Sequence, residues 1–237
     1  MEPTIPIIFD LDGTLIYQKT SGDSTQARSG HPVRDRIIIE ASKHGILPSE
    51  YENVEPRMAP RWNRTLEVLG GQKRKPYEIN AAMASLDRAL FENELQEHDR
   101  SEAFPDSAGA LRDLKAVGYT VCIVTNTSKI EMLRMLEKHG MLKYVDRYVC
   151  RDPMHFLKPH PYPCVAMLEA VGAEEALYVG DDRHDSDSFR GACDTLGVDG
   201  RFVLMNSRGY DGAAIKQIGP DAVINSPADL LYVVPRI

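Results

Sequence analysis

The sequence predicts an α/β protein in which a doubly wound parallel sheet carries an inserted helical domain. Short apolar runs alternate with helical patterns in the second half of the chain, which is typical of parallel strands joined by helices. A helical stretch of roughly eighty residues follows the first apolar run without any strand signal, and its length suits a separate domain. Polar clusters also follow four of the apolar runs, where the strands of such a sheet would end.

The first strand is predicted over residues 7–9, a short apolar run that passes directly into two aspartates and a glycine at residues 10–14. The polar stretch from Gln18 to Gly30 has nothing to bury and is predicted to be a linker. The helical patterns that follow run from Pro32 to His44, from Arg61 to Leu69 and from Pro76 to Glu97. We therefore predict an α/β core made of residues 1–16 and 101–237, and a helical lid made of residues 17–100.

Strand and helix patterns alternate from Phe104 to the end of the chain. Glycines at positions 118 and 140 close two of the helices, as is usual where a helix ends. The predicted strands cover residues 119–124, 144–150, 176–179, 202–205 and 222–224. The predicted helices cover residues 106–116, 128–139, 162–171, 185–196 and 227–233.

Composition excludes several classes of protein. The 237 residues, 43% hydrophobic and 27% charged, can form one good core and a modest second domain. The formal charge of -7 argues against nucleic-acid binding. Four widely separated cysteines form no Cys-x-x-Cys pattern, and three of them lie in apolar settings that are typical of buried free thiols. No apolar run approaches the roughly 18 residues of a membrane span, and no signal-like segment opens the chain, so we expect a cytoplasmic protein without a membrane partner. Protein partners are not predicted.

The four polar clusters are the strongest functional signal, because the carboxyl ends of parallel strands meet at one edge of a sheet. Each cluster taken alone also has a simpler explanation, such as a turn, a helix cap, a solvated lysine or an acidic helix start. Their order and placement together favour one shared crevice. The clusters are Asp10 with Asp12, Thr125 with Asn126, Lys158 with Pro159, and Gly180-Asp181-Asp182 with Asp185.

Phosphoryl transfer is the chemistry that these residue types favour. Asp10 is the candidate nucleophile, and Asp12, two residues further on, is the candidate general acid/base. Lys158 can hold a phosphate oxygen and offset the negative charge, while Thr125 and Asn126 can donate hydrogen bonds to other oxygens.

A divalent cation is the second requirement of this chemistry. Asp181 and Asp185 supply the hard oxygen ligands that Mg²⁺ prefers, and Asp10 completes the acidic cluster. So many carboxylates gathered without a cation would repel one another strongly. The sequence therefore predicts Mg²⁺ as the cofactor.

The chain resembles the phosphatases of the haloacid dehalogenase superfamily, in the phosphoglycolate phosphatase and β-phosphoglucomutase-like subgroup. Its four motifs begin at Asp10, Thr125, Lys158 and Gly180, in the family's order. The resemblance implies a Rossmann-like core, a helical type 1 cap and Mg²⁺-dependent hydrolysis of a small phosphorylated metabolite through an aspartyl phosphate. It also implies that the main-chain carbonyl of Asp12 is a metal ligand.

Two positions depart from the pattern of this family. Asp182 stands where many members have Ser, which adds a charge beside the predicted metal site. Residues 16 and 17, Ile and Tyr, replace a common acidic residue, so the usual polar contact at the cap hinge is not expected.

The resemblance leaves the substrate and one alternative reaction open. Glycolate phosphate, sugar phosphates and nucleoside monophosphates are all candidate substrates, and Arg57, Arg61 and Arg64 of the lid are candidate contacts to them. A phosphomutase is the alternative within the family, although Thr14 stands where sugar-phosphomutase relatives often have Val. A phosphate-ligand-binding module without turnover is the alternative from another class. Dehalogenation is disfavoured, because those relatives lack an acid at the position of Asp12.

Overall fold

A computed structural model describes residues 5–18, 32–72, 74–97, 100–153 and 155–234. Apart from Gln18, the predicted linker from Gln18 to Gly30 lies outside these residues. Within the described ranges, no helix is both long enough and apolar enough to cross a bilayer.

Within the described residues, the chain forms eight strands and nine helices. In chain order, the first are β1 (Pro6–Phe9), β2 (Ile16–Gln18), α1 (Pro32–Lys43), α2 (Met58–Gly71), α3 (Pro76–Glu97) and β3 (Ser101–Ala103). The elements that follow are α4 (Ser107–Val117), β4 (Thr120–Ser128), α5 (Lys129–Lys138), β5 (Arg147–Arg151), α6 (Tyr162–Val171), β6 (Glu175–Gly180), α7 (Arg183–Leu196), β7 (Asp199–Met205), α8 (Gly212–Ile218), β8 (Ala222–Ile224) and α9 (Leu230–Val233). Short 3₁₀ turns lie at Pro48–Tyr51, Leu142–Tyr144 and Pro227–Asp229.

Six parallel strands form the central sheet in the order β5-β4-β1-β6-β7-β8. Side chains of β1 alternate between two buried clusters: Ile7 and Phe9 belong to one and Ile8 to the other. Helices α4, α5 and α9 pack into the first cluster, while α6 and α7 pack into the second. Both faces of the sheet are thus covered by helices, which confirms the predicted α/β fold and explains why its strands are continuously apolar.

Helices α1, α2 and α3 share a third apolar cluster built around Trp62, which is fully buried. The small antiparallel pair β2–β3 lies where the chain leaves the central sheet and returns to it. The Tyr17 hydroxyl donates to Glu102 Oε2 across this pair at 2.8 Å. A polar contact therefore exists here although the usual acidic residue is absent.

The helical segment is bonded to a loop of the core. Asn63 of α2 makes two reciprocal bonds with the main chain of Leu157, each 2.7 Å long, and the Trp62 indole donates to the His155 carbonyl at 3.0 Å. The Arg151 guanidinium at the end of β5 donates to Asp87 of α3 at 2.7 Å. These bonds connect α2 and α3 to the chain that leads into Lys158.

The differences from the predicted elements occur where the sequence signal is short. Helix α2 begins at Met58 and not at Arg61, because Pro60 falls in its first turn, where proline is tolerated. Strand β4 runs on to Ser128, and the predicted start of β5 is instead a 3₁₀ turn. Helix α8 was not predicted; it has seven residues and none of them is buried. The four cysteines are free and three of them are buried, as predicted.

Candidate active site

All four predicted polar clusters line one cavity at the carboxyl end of the sheet. Its volume is about 200 Å³, which is smaller than the roughly 300–1,000 Å³ common for drug-sized ligands. The core side chains that line it are Asp10, Asp12, Thr125, Asn126, Thr127, Lys158, Asp181, Asp182, His184, Asp185 and Arg208, and α2 and the residue before it add Met58 and Arg57.

Lys158 lies at the centre of this site. Its ammonium group donates to Asp10 Oδ1 at 2.6 Å and to Asp185 Oδ1 at 2.7 Å. It also contacts the carbonyl of Val124 at 2.8 Å and the hydroxyl of Tyr178 at 2.9 Å. Lys158 is buried, yet its ammonium group has four oxygen atoms within hydrogen-bond distance, which offset the cost of burying the charge.

The buried charges shift one another's ionisation. Burial lowers the pKa of Lys158, but the carboxylates of Asp10 and Asp185 outweigh it and raise the pKa above the usual value, so the lysine stays charged. Burial raises the pKa of Asp10 well above its usual value, and the Asp185 carboxylate adds to this while Lys158 opposes it. Without a metal ion, Lys158 therefore does not offset the combined effect of burial and of the Asp185 carboxylate on the pKa of Asp10.

Asp10, Asp181 and Asp185 form a buried acidic triad, in which one carboxylate oxygen of each lies within 4.8 Å of the others. Two glycines permit this approach: a Cβ on Gly13, at φ +89°, would lie 2.2 Å from Asp181 Oδ2, and one on Gly180 would lie 2.5 Å from Asp185. Three converging hard oxygens suit Mg²⁺. The donor set therefore fits the predicted cofactor.

The predicted acid/base and phosphoryl-binding residues lie beside this triad. The Thr127 hydroxyl donates to Asp12 Oδ2 at 2.6 Å. Thr125 accepts a bond from the Thr127 N–H at 3.1 Å, which leaves its own hydroxyl proton to be donated toward the cavity. Thr127 is thus held by Asp12, which follows β1, while Thr125 is held by a local bond within β4.

Asn126 has a different position from the one its predicted role suggests. Its side-chain oxygen accepts from Lys158 N–H and its amide nitrogen donates to Lys158 O, both at 3.0 Å. The amide thus fixes the main chain of the lysine. A direct contact of Asn126 with substrate stays a prediction.

Asp182 connects the core to the residues before α2. One of its oxygens accepts from Asp185 N–H at 3.3 Å and caps α7, while the other accepts from Arg57 at 2.6 Å. The Arg208 guanidinium lies 3.4 Å from that same oxygen. Burial opposes ionisation, but Arg57 and Arg208 outweigh it and lower the pKa of Asp182 to about 2. The extra acid at this position is therefore ionised and paired with arginines.

The three arginines predicted to contact substrate separate in space. Arg57 lines the cavity, whereas Arg61 and Arg64 are not among its lining residues. Arg64 pairs with Glu50 at 2.6 Å and with Glu67 at 3.3 Å. Helical spacing does not bring the three together, because Arg57 lies before the first residue of α2.

Four polar residues of the site were not predicted, namely Thr127, Tyr178, His184 and Arg208, and neither was the apolar lining residue Met58. Tyr178 lies within an apolar strand and has the sequence pattern of a core aromatic. Arg208 lies in a polar loop after β7 without any recognisable motif, although it donates to Asp181 Oδ2 at 2.5 Å. Thr127 follows Thr125 and Asn126 directly, so extending that cluster by one residue would have included it.

The ionisation of Asp181 predicts a pH-dependent response to Mg²⁺. Burial raises its pKa to about 7 in the cation-free protein, although Arg208 opposes the shift, while in the unfolded chain it ionises near pH 4. The folded state then binds more protons between these values, so the free energy of unfolding falls as pH rises through the window. We expect a loss on the order of 1–3 kcal/mol, since one pKa unit corresponds to about 1.4 kcal/mol.

Thermal unfolding with EDTA or Mg²⁺ at about pH 5 and about pH 8 measures this effect. Mg²⁺ is expected to raise Tm more at the higher pH, because it no longer has to displace the Asp181 proton. Asp181→Asn should reduce that difference, and Asp194→Asn, which changes an exposed carboxyl of α7, should retain it. A Tm shift of equal size at both pH values in the parent protein would contradict the prediction.

The chain matches a known protein family over most of its length. The family model of haloacid dehalogenase-like hydrolases matches residues 7–193, which is more than half of the chain. The chain belongs to this family. It is therefore a hydrolase, and the resemblance predicted from its four motifs is confirmed.

Relatives of this haloacid dehalogenase-like hydrolase match it over nearly its whole length. A phosphoglycolate phosphatase from Yersinia pseudotuberculosis is 29% identical over 240 residues, which cover 95% of this chain and 90% of that protein. Pyrophosphatase PpaX from Bacillus cereus is 27% identical over 239 residues, which cover 98% and 96%. The chain thus has relatives in the phosphatase branch of the family.

Solved structures share its fold. A predicted phosphoglycolate phosphatase from Haemophilus somnus has a TM-score of 0.58 at 20% identity, with 99% of each chain covered. A putative β-phosphoglucomutase from Thermotoga maritima has a TM-score of 0.56 at 19% identity, with 99% and 100% covered. At such identities the likeness concerns the fold alone.

Proposed function

We propose that this hydrolase is a Mg²⁺-dependent phosphatase that cleaves small phosphate monoesters through an aspartyl-phosphate intermediate on Asp10. The observation that carries the proposal is the buried Lys158 ammonium, which bonds both Asp10 and Asp185 beside the acidic triad. A lysine in this position favours approach of a phosphate dianion to a carboxylate that would otherwise repel it.

The reaction has two steps on this set of residues. An Asp10 oxygen bonds to phosphorus while the bond from phosphorus to the ester oxygen breaks, and Asp12 gives its proton to the departing alcohol. Asp12 then accepts a proton from water, whose oxygen bonds to phosphorus while the bond from phosphorus to the Asp10 oxygen breaks. Phosphate is released and the Asp10 carboxylate is regenerated. Lys158 and the Thr125 hydroxyl donate to the phosphoryl oxygens in both steps.

The residues that would hold Mg²⁺ are the carboxylates of Asp10, Asp181 and Asp185, together with the main-chain carbonyl of Asp12. When bound, the cation neutralises negative charge on the transferring group. Asn126 acts on this site indirectly, since its two bonds fix the main chain of Lys158.

We further propose that residues 17–100 form a cap over the site. The reciprocal bonds of Asn63 with Leu157 connect the cap to the loop before Lys158. A cavity of about 200 Å³ beneath it favours a small substrate. Two relatives act, by their names, on phosphoglycolate and on pyrophosphate, and both of those compounds are small.

Phosphate release from p-nitrophenyl phosphate tests the proposed cation dependence. We expect turnover with Mg²⁺ and a loss of at least roughly 100-fold after removal of divalent cations with EDTA, because the acidic cluster then repels the phosphate. Turnover should return when Mg²⁺ is restored in excess over EDTA. An equal rate with and without divalent cations would contradict the proposed mechanism.

A further inference from the structure

The mouth of the cavity contains two guanidinium groups that the proposed phosphoryl chemistry does not use. Arg57 comes from the cap, directly before α2, and Arg208 comes from the loop after β7. Their side chains are 37% and 44% exposed, whereas Asp182 between them is only 7% exposed. Both guanidinium groups are therefore more exposed to the space that a ligand would enter than the carboxylate between them, although all three side chains line the cavity.

The polar contacts of these arginines engage only some of their N–H donors. Arg57 has Asp182 at 2.6 Å, the ring of His184 at 3.2 Å and Glu55 more distantly at 3.7 Å. Arg208 donates to Asp181 at 2.5 Å and lies 3.4 Å from Asp182. Each guanidinium has five N–H donors, so a few carboxylate oxygens cannot engage them all.

Asp182 holds the guanidinium groups of Arg57 and Arg208 together. Two guanidinium groups this close would repel each other, and a shared carboxylate oxygen offsets that repulsion. The other oxygen of Asp182 caps α7, which fixes the carboxylate relative to the sheet. Asp181, the second partner of Arg208, belongs to the acidic triad, so that carboxylate is shared with any cation held there. The carboxylate partner of Arg208 is therefore also a candidate metal ligand, and a bound cation would compete with Arg208 for it.

We propose that Arg57 and Arg208 form an anion subsite, and that the substrate carries a second anionic group, either a carboxylate or a second phosphate. Planar guanidinium forks bind both groups through paired charge-assisted hydrogen bonds. The small cavity places such a group close to the phosphate that is cleaved. This inference rests on the phosphatase function proposed above and narrows its substrate class.

The test compares three substrates in the presence of Mg²⁺. Phosphoglycolate carries a carboxylate, pyrophosphate carries a second phosphate, and ethyl phosphate matches phosphoglycolate in carbon number without the second charge. The parent enzyme should show a higher kcat/KM for at least one of the doubly anionic compounds than for ethyl phosphate. The preferred compound then indicates which anion the subsite accepts.

Substitution of each arginine tests whether Arg57 and Arg208 cause the preference for a doubly anionic substrate. Arg208→Ala should reduce the ratio of kcat/KM between the preferred compound and ethyl phosphate roughly 10- to 100-fold, the usual range for loss of hydrogen bonds to a charged group. Arg57→Ala should act in the same direction, and Arg208→Lys should restore part of the ratio. Arg112→Ala is the control, because Arg112 is exposed and pairs with Asp113 away from the cavity.

Two results would overturn the subsite and leave the phosphatase function standing. One is a parent enzyme that hydrolyses all three compounds without preference, and the other is an Arg208→Ala variant that loses the same factor on each. If no compound releases phosphate, the proposed function fails instead. Calorimetric binding of phosphoglycolate to Asp10→Asn, with and without Arg208→Gln, then still tests the subsite, and equal affinities would overturn it.

Discussion

Asp10→Asn is expected to lower kcat for p-nitrophenyl phosphate by roughly 10³-fold or more, because an amide cannot form the acyl phosphate on which the proposed reaction depends. The substitution keeps the shape of the side chain and removes one negative charge from a buried cluster. Burial and the Asp185 carboxylate both disfavour ionised Asp10 in the cation-free protein. The variant should therefore unfold at the same or a higher temperature without Mg²⁺.

Opposite effects on activity and stability distinguish a lost nucleophile from a misfolded protein. Steady-state rates with Mg²⁺ and thermal unfolding with EDTA measure the two quantities, and acid-quenched parent enzyme should contain a phosphorylated aspartate that the variant lacks. Asp187→Asn is a suitable control, since Asp187 is an exposed carboxylate on α7 that pairs with Arg183. Parent-like rates in Asp10→Asn would reject Asp10 as the nucleophile.

Apart from Arg57, the predicted site residues that the structure brings together are those that follow apolar runs in the sequence. Residues at the ends of β1, β4 and β6, and Lys158 from the loop before α6, line one cavity. A rule about parallel sheets suffices for this convergence, because it depends on strand direction and not on side-chain detail. The fold class was predictable for the same reason: buried parallel strands and their helices have strong and regular patterns.

The site contacts that were not predictable join segments that are distant in the chain. Nothing in the sequence around Tyr178 indicates that its hydroxyl reaches Lys158, twenty residues earlier. Arg57 and Arg208 both reach Asp182, and 125 and 26 residues separate them from it in sequence. Helical spacing grouped Arg57 with Arg61 and Arg64, but the start of α2 at Met58 separates it from them. Such pairings follow from tertiary packing within the core and between the core and the helical segment, which local patterns do not encode.

Asp182 shows how one departure from a family pattern acquires a physical explanation. A serine at this position could also cap α7, since serine is among the residues preferred there. Only the carboxylate can in addition hold two guanidinium groups. The extra charge is therefore explained by the arginines at the mouth and not by the proposed metal site, and it coincides with the subsite proposed for a second anion.

Lys158→Met is expected to damage both activity and folding, in contrast to Asp10→Asn. Without the ammonium group, Asp10 and Asp185 lose their shared partner inside a buried cluster. Removing one member of a buried ion pair typically costs about 3–5 kcal/mol, because the remaining charge is left without compensation. The free energy of unfolding should fall by this order in the cation-free protein near neutral pH, and kcat should fall by roughly 10³-fold as phosphate loses a donor.

Lys115→Met is the matched control for this variant. Lys115 contacts Asp146 at 2.7 Å, a distance like those around Lys158, but its side chain is 33% exposed. Exposed pairs contribute at most about 1 kcal/mol, so this substitution should change stability little. Chemical denaturation measures both variants, and activity is compared per folded molecule at a temperature below either transition. If Lys158→Met costs no more stability than Lys115→Met, the buried lysine is not what stabilises the acidic triad.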